Sequence, residues 1–335
     1  MSQKLRIRVL VAVVVAVVLV VGGYVANEAV EAAHRGTSAG AERSLADAGT
    51  PRVFFRNTDD RGTSNGLMAT VPLDDLSGDR TIIGPNCDRV AAAGDVTVCL
   101  STRGAIATTF QGQMLDTAGK ELKTWPLVGI PSRTRMSPSG RLVADTSFIN
   151  EGTSYAQVGF STATFVRKVD GPDYANLESF TAMVDGRRLT ARDRNFWGVT
   201  FAAGDRFFYA TAASGGRTWL VRGDLSDRTL TSVRRNAECP SLSPDGRRIA
   251  YKKRVPENGR HWSLAVLDLQ SGRETVLREH RSADDQLEWL NDDTLLYALP
   301  RSGRIATSDV WSIAATSAGR PRLTIEYASS PAVAR

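Results

Sequence analysis

The chain has 335 residues, 42% hydrophobic and 23% charged, which is the make-up of a globular protein and excludes a disordered one. Its formal net charge is +6, and Lys4, Arg6 and Arg8 carry three of those charges ahead of the first apolar run. What remains is too weakly basic for a dedicated nucleic-acid binder, and three histidines and three cysteines leave little for a multi-ligand metal site, so no nucleic acid, metal or cofactor is expected.

Val9 to Ala26 holds no charge. As a helix these residues rise roughly 27 Å, enough to span a hydrocarbon core. Lys4, Arg6 and Arg8 flank the run on its N-terminal side, and Tyr24 stands where an interfacial aromatic anchors. The positive-inside rule then predicts a single-pass helix with a cytoplasmic tip over residues 1–26 and everything after it exported. A cleaved signal and secretion is the alternative, although the run is longer than a usual signal core. Residues 27–51 are rich in Ala, Gly, Ser and charge and read as a flexible linker of roughly 27 Å r.m.s. span.

From Arg52 onward the chain repeats. Apolar anchors at Val90, Met136, Phe201, Leu242 and Trp289 each precede a small or polar turn and a second apolar strand. Their spacings are 46, 65, 41 and 47 residues. A second marker, Gly or Asp before a basic residue, opens a short strand at Asp79, Gly119, Gly186, Asp227, Gly272 and Gly319. The long interval falls at the same place in both series. A period of 40–47 residues with alternating strands between the markers predicts blades of four antiparallel strands. Six outer strands meet five inner hairpins, so the first blade, Arg52 to Ile83, lacks its innermost strand. Ser329 to Arg335 is expected to supply it and close the ring. The fold class is therefore all-β, a six-bladed propeller over 52–335. Five blades with a separate strand array is the minor alternative.

Cys87 and Cys99 bracket a predicted turn at Gly94 and lie within disulfide reach if the strands pair across it, which an exported compartment permits. Cys239 is left as a buried thiol. The long interval gives blade 3 about twenty extra residues, placed between Phe148 and Ala182 and carrying the aromatics Tyr155, Phe160 and Tyr174. Elongated strands or an inserted hairpin accounts for them. These rings either pack the enlarged blade or form a functional surface.

SLSPDGRRIAY, ending at Tyr251, resembles the TolB-like, WD40-like propeller repeat, with SPSGRLVADTSF and EWLNDDTLLY as weaker copies. The likeness covers residues 52–327 as architecture, and the closely matching residues are turn and core positions. It implies a protein-binding module at the cell envelope, acting through the propeller faces or the central channel. The Ala, Val, Arg and Gly bias with a single anchor looks actinobacterial. An α/β domain of the TolB type is not recognisable ahead of the repeats.

Candidate chemistry is sparse. A similar propeller precedes the hydrolase domain of prolyl-oligopeptidase-like enzymes, but no stretch of chain remains to build such a domain. His261 and His280 read as surface histidines. Asp59-Asp60, Asp74-Asp75, Asp284-Asp285 and Asp292-Asp293 read as turn formers. Arg234-Arg235 and Lys252-Lys253-Arg254 read as solvated faces. The residues leading into the innermost strands, Arg89, Arg133, Asn195, Glu238 and Glu288, are the candidate channel rim, with mixed charge suited to a polar peptide or a small polar ligand. The function expected is a membrane-anchored, non-enzymatic interaction or scaffolding module with an envelope protein or peptide as partner. A ligand sensor, or a channel-sited lyase or glycan-acting enzyme, is the alternative.

Overall fold

The computed structural model describes residues 49–104, 107–116, 119–149, 160–257, 259–304 and 306–335, together with Val17. By compactness the chain divides into a small unit, 1–42 with 103–108, and a large unit, 43–102 with 109–335. The predicted membrane run apart from Val17, the linker up to residue 48, and Tyr155 lie outside the described residues. Among the described residues no helix is long and apolar enough to cross a membrane.

The large unit is an all-β propeller of six blades. Blade 1 contains β1 (Arg52–Asn57), β2 (Leu67–Pro72) and β3 (Thr81–Asn86). Blade 2 contains β4 (Arg89–Ala93), β5 (Val96–Arg103), β6 (Thr109–Asp116) and β7 (Glu121–Pro126). Blade 3 contains β8 (Ile130–Met136), β9 (Leu142–Phe148), β10 (Thr162–Lys168) and β11 (Ala175–Asn176). Next come β12 (Thr181–Val184) and β13 (Arg187–Arg188), then β14 (Asn195–Phe201), β15 (Phe207–Ser214), β16 (Arg217–Asp224) and β17 (Thr229–Arg235) of blade 4. Blade 5 is β18 (Glu238–Leu242), β19 (Arg248–Arg254), β20 (Trp262–Asp268) and β21 (Glu274–Val276). Blade 6 is β22 (Glu288–Asn291), β23 (Thr294–Pro300), β24 (Ser308–Ala314) and β25 (Arg322–Ile325), and the last strand is β26 (Ala328–Ala334).

β26 pairs antiparallel with β1, Val53 opposite Val333, so the C-terminal strand completes blade 1. Neighbouring inner strands meet around a closed circuit, β26, β4, β8, β14, β18, β22 and back to β26. Closure removes the free inner edges that an open array would leave. The inner hairpins form where the turn chemistry places them. In Ser243-Pro244-Asp245-Gly246 the Gly246 amide donates to the Ser243 carbonyl at 2.8 Å, and Gly246 has φ +70°. A side chain there would be strained, which is why glycine ends the motif.

Strands near the axis are buried on both faces; every residue of β9 and of β14 is buried. Strands at the rim are exposed, as in β7, where only Trp125 is fully buried. Hydrophobic clusters fill the interfaces between neighbouring blades. Between blades 5 and 6, for example, Leu264 and Val266 pack with Leu295 and Tyr297. Cys87 and Cys99 are joined in a disulfide with Cα atoms 5.3 Å apart, tying the start of blade 2 to its second strand. Cys239 is a buried free thiol.

The extra residues after β9 do not all enlarge blade 3. The hairpin β12–β13 attaches to the outer edge of blade 4, with β12 running parallel to β17 and Thr181 opposite Thr229. Blade 4 thus has six strands. Ala182 and Val184 are buried in the cluster between blades 3 and 4, which fixes the hairpin there. The Gly186-Arg187 marker accordingly opens β13; the outer strand of blade 3 is β11.

Candidate functional site

Six inner strands run in one direction along the axis. At one mouth they begin; at the other they end in their hairpin turns. We call these the start-side and turn-side mouths. The channel between them is not open. The segment 282–288, which leads into β22 of blade 6, crosses it to reach blade 3, the blade opposite in the ring. The Ala283 amide donates to the Trp262 carbonyl at 3.1 Å, fixing the segment on blade 5. Gln286 Nε2 then donates to the Thr134 carbonyl at 2.9 Å, and Arg135 Nη2 donates to the Leu287 carbonyl at 2.6 Å. Thr134 and Arg135 belong to β8 of blade 3, so the segment is a strap across the channel.

Charges hold the strap, two buried cations against one partly exposed carboxylate. Lys252 Nζ lies 2.5 Å from Asp284 Oδ1 with no exposed side-chain surface, and Arg133 Nη2 lies 3.4 Å from the same oxygen. Burial pushes the Asp284 carboxyl up, but Lys252 and Arg133 outweigh it and hold it below the usual carboxylate range. Burial opposes the Lys252 ammonium, yet the facing Asp284 carries it above its ordinary value. On the turn side Arg135 meets Glu288 and also donates to Ser241 Oγ at 3.2 Å. Burial pulls the Arg135 guanidinium down to about 10, against the pull of Asp285, so it stays cationic at neutral pH.

The strap leaves a chamber at each mouth. The turn-side chamber, about 320 Å³, takes wall residues from the inner strands of all six blades. Pro138, Ala203 and Pro244 form its lip, Val90, Leu242 and Val333 belong to its wall, and Gln286 and Glu288 of the strap line it. The start-side chamber, about 410 Å³, is lined by Arg56, Arg89, Ile130 and Phe148 and by Asp284 and Asp285 of the strap. Successive strap residues therefore serve opposite chambers.

The residues expected at the rim separate into three groups. Arg89 lines the start-side chamber, with Nε donating to the Ser132 carbonyl at 2.5 Å, and Arg133 holds the strap. Glu288 lies at the turn-side chamber instead. Asn195 and Glu238 are enclosed. The Asn195 side chain accepts from the Thr162 amide at 2.8 Å and donates to the Phe160 and Asp193 carbonyls, joining blades 3 and 4. Glu238 is fully buried and ion-paired to Arg254 at 2.6 Å. Phe160 packs edge-on against Trp197 at 5.4 Å and Phe148 at 6.2 Å. Tyr174 packs against the cluster between blades 3 and 4, beneath Lys168 Nζ at 4.6 Å from its ring centre.

Two readings of charge are corrected. Lys252 is not on a solvated face: its position on the second strand of blade 5 aims it inward at Asp284. Asp284 is not merely a turn former, because it carries the ion pairs of the strap. Lys252, Arg135, Asp284 and Gln286 were missed as channel residues. Alternation along β8 placed Arg133 and Arg135 on one face, and that was the available signal. A G-x-S-x-G pattern does occur, at Gly62 to Gly66 in the turn between β1 and β2. Ser64 there accepts from Asn57 Nδ2 through both its carbonyl and its hydroxyl at 2.9 Å. A strand, β2, follows the turn where a nucleophile elbow requires a helix. Among the described residues no group of three His, Cys, Asp or Glu is placed to hold a metal ion.

No protein-family model matches the chain, and no curated protein matches it. Solved structures do. TolB from Acinetobacter baumannii aligns with a TM-score of 0.59 at 15% identity, over 86% of this chain and 68% of that one. A puromycin-hydrolysing peptidase from Mycobacterium tuberculosis aligns at 0.50 and 15% identity, over 82% of this chain but 43% of that one. An oligogalacturonate lyase in complex with manganese aligns at 0.49 and 10% identity, over 75% and 72%. Likeness at these identities shows the fold, a propeller like that of TolB. It also corrects the expectation that the chain is not an enzyme: a peptidase is among the similar structures, so the fold gives no ground for excluding catalysis.

Proposed function

We propose that the chain is a membrane-anchored, extracytoplasmic interaction module of the TolB-like kind, whose turn-side chamber receives a segment of a partner protein at the cell envelope. The observation that carries this reading is the chamber itself. It is a blind socket walled by six converging strands, with an apolar lip at Pro138, Ala203 and Pro244 and a strapped floor bearing Arg135 and Glu288. Its volume falls in the range of natural ligand pockets, and apolar walls with a few placed polar groups are what such pockets use. The uncharged run from Val9 to Ala26, its flanking Lys4, Arg6 and Arg8, and the Cys87–Cys99 disulfide support an exported, tethered location.

The test is site-specific photocrosslinking in host envelopes. A photoreactive residue replacing Pro244 captures a defined protein, whereas the same residue at Gln270, on an outer turn of the same blade, does not. Ala92→Trp, which fills the chamber, abolishes the capture while its melting curve stays within a few degrees of the parent. Equal capture from Gln270, or undiminished capture in Ala92→Trp, contradicts the proposal.

A further inference from the structure

We infer that the start-side chamber is a second binding site, independent of the turn-side socket, that takes a monocarboxylate with an apolar tail. The chamber sets an unmatched positive charge beside an apolar ledge. Each acid on the wall is already engaged within the fold. Asp284 is paired with Lys252 and Arg133. Asp285 Oδ2 accepts from the Ala298 amide at 3.1 Å. Asp88 Oδ2 accepts from both the amide and the hydroxyl of Thr102 at 2.7 Å. Arg56 is different. It lines the chamber, half-buried, and although its backbone is paired within the sheet, its side chain makes no hydrogen bond and no ion pair among the described residues. Its Nε is buried without a partner. Asp88 acts on it only through space, and burial holds its pKa below the ordinary value.

Counting the groups on the wall and directly behind it, Arg56, Arg89, Arg133 and Lys252 face Asp88, Asp284 and Asp285. One negative charge balances the set. A planar guanidinium suits a carboxylate, which it engages with two parallel N–H donors. The ledge beside it is apolar and open: Val128, Ile130 and Ile149 are 58%, 37% and 42% exposed, next to Pro131 and Phe148 in the chamber wall. Ile130 pairs with Phe148 across β8 and β9, which keeps the ledge rigid.

Binding of hexanoate to the full chain, followed by saturation-transfer NMR against hexanamide, tests the inference. An acetylated tripeptide ending in leucine, as acid and as amide, separates a free organic acid from a peptide terminus by which acid binds more tightly. Hexanoate binds at least tenfold more tightly than hexanamide; Arg56→Gln removes that preference and Arg56→Lys keeps part of it; Ile130→Ser weakens hexanoate and hexanamide alike. Because Arg56 has no internal partner, Arg56→Gln melts no lower than the parent. Absence of hexanoate binding, equal binding of acid and amide, or an unchanged preference in Arg56→Gln overturns the inference. Ala92→Trp, which fills the opposite chamber, leaves hexanoate binding unaltered.

Discussion

Lys252 Nζ sits 2.5 Å from Asp284 Oδ1, joining a fully buried lysine of blade 5 to the strap that enters blade 6. Such a pair is a weak source of net stability, because desolvation of the lysine offsets the attraction, but removing the partly exposed Asp284 leaves a fully buried charge uncompensated. Asp284→Asn therefore destabilises the propeller in urea unfolding by about 3 kcal/mol, the low end for such a loss because Asp284 is partly exposed. Adding Lys252→Met to that variant recovers most of the loss.

The same pair sets a pH dependence. Asp284 titrates lower in the folded chain than its ordinary value, so its contribution is present above the unfolded pKa of about 4 and is lost as pH falls through the folded value. Lys252 titrates higher when folded, so its contribution is complete below about pH 10 and is lost as pH rises through the folded value. The stability gap between the parent and Asp284→Asn is widest between about pH 5 and pH 10 and shrinks below about pH 4. Denaturant midpoints across that range measure it.

Cys87 and Cys99 close a loop with a sequence separation of 12. A loop of this size restricts the unfolded chain by about 3 kcal/mol. Reduction, or Cys87→Ser with Cys99→Ser, lowers unfolding stability by about that amount, whereas Cys239→Ala leaves the stability difference between the oxidised and reduced chain unchanged.

Ring closure rests on β26. Val333 is 5% exposed, stands opposite Val53, and packs in the cluster between blades 6 and 1. Val333→Asp buries a carboxylate with no partner and unfolds or opens the ring, a loss of at least about 3 kcal/mol. Val333→Ile stays within about 1.5 kcal/mol of the parent. Near-UV circular dichroism and urea unfolding distinguish the two.

Much of the fold was legible because turn chemistry is local. Pro244 and Gly246 specify a tight hairpin without help from distant residues, and repeats at that spacing imply a ring. The missing inner strand of blade 1 followed from counting, and β26 supplies it. The β12–β13 hairpin was misplaced because its Gly186-Arg187 opening matches the outer-strand marker, while its partner β17 lies more than forty residues onward. The strap was invisible for a different reason. Its contacts to blade 3 join residues about 150 positions apart, and two of them end on backbone carbonyls, Thr134 and Leu287, that no side-chain pattern records. Lys252 looked like one of three solvated cations because the inward direction of a strand position depends on the axis, which exists only once the ring has closed.

The strap divides the channel, and a crosslink between it and blade 3 is the most direct measurement of that division. Arg135 of blade 3 and Gln286 of the strap both line the turn-side chamber. With cysteines at these two positions and the native disulfide intact, a short bismaleimide is predicted to join residues 135 and 286 within one chain, identified by mass spectrometry of the monomer. Full single labelling at both positions with no 135–286 link would contradict the account, since the segment would then leave the channel open.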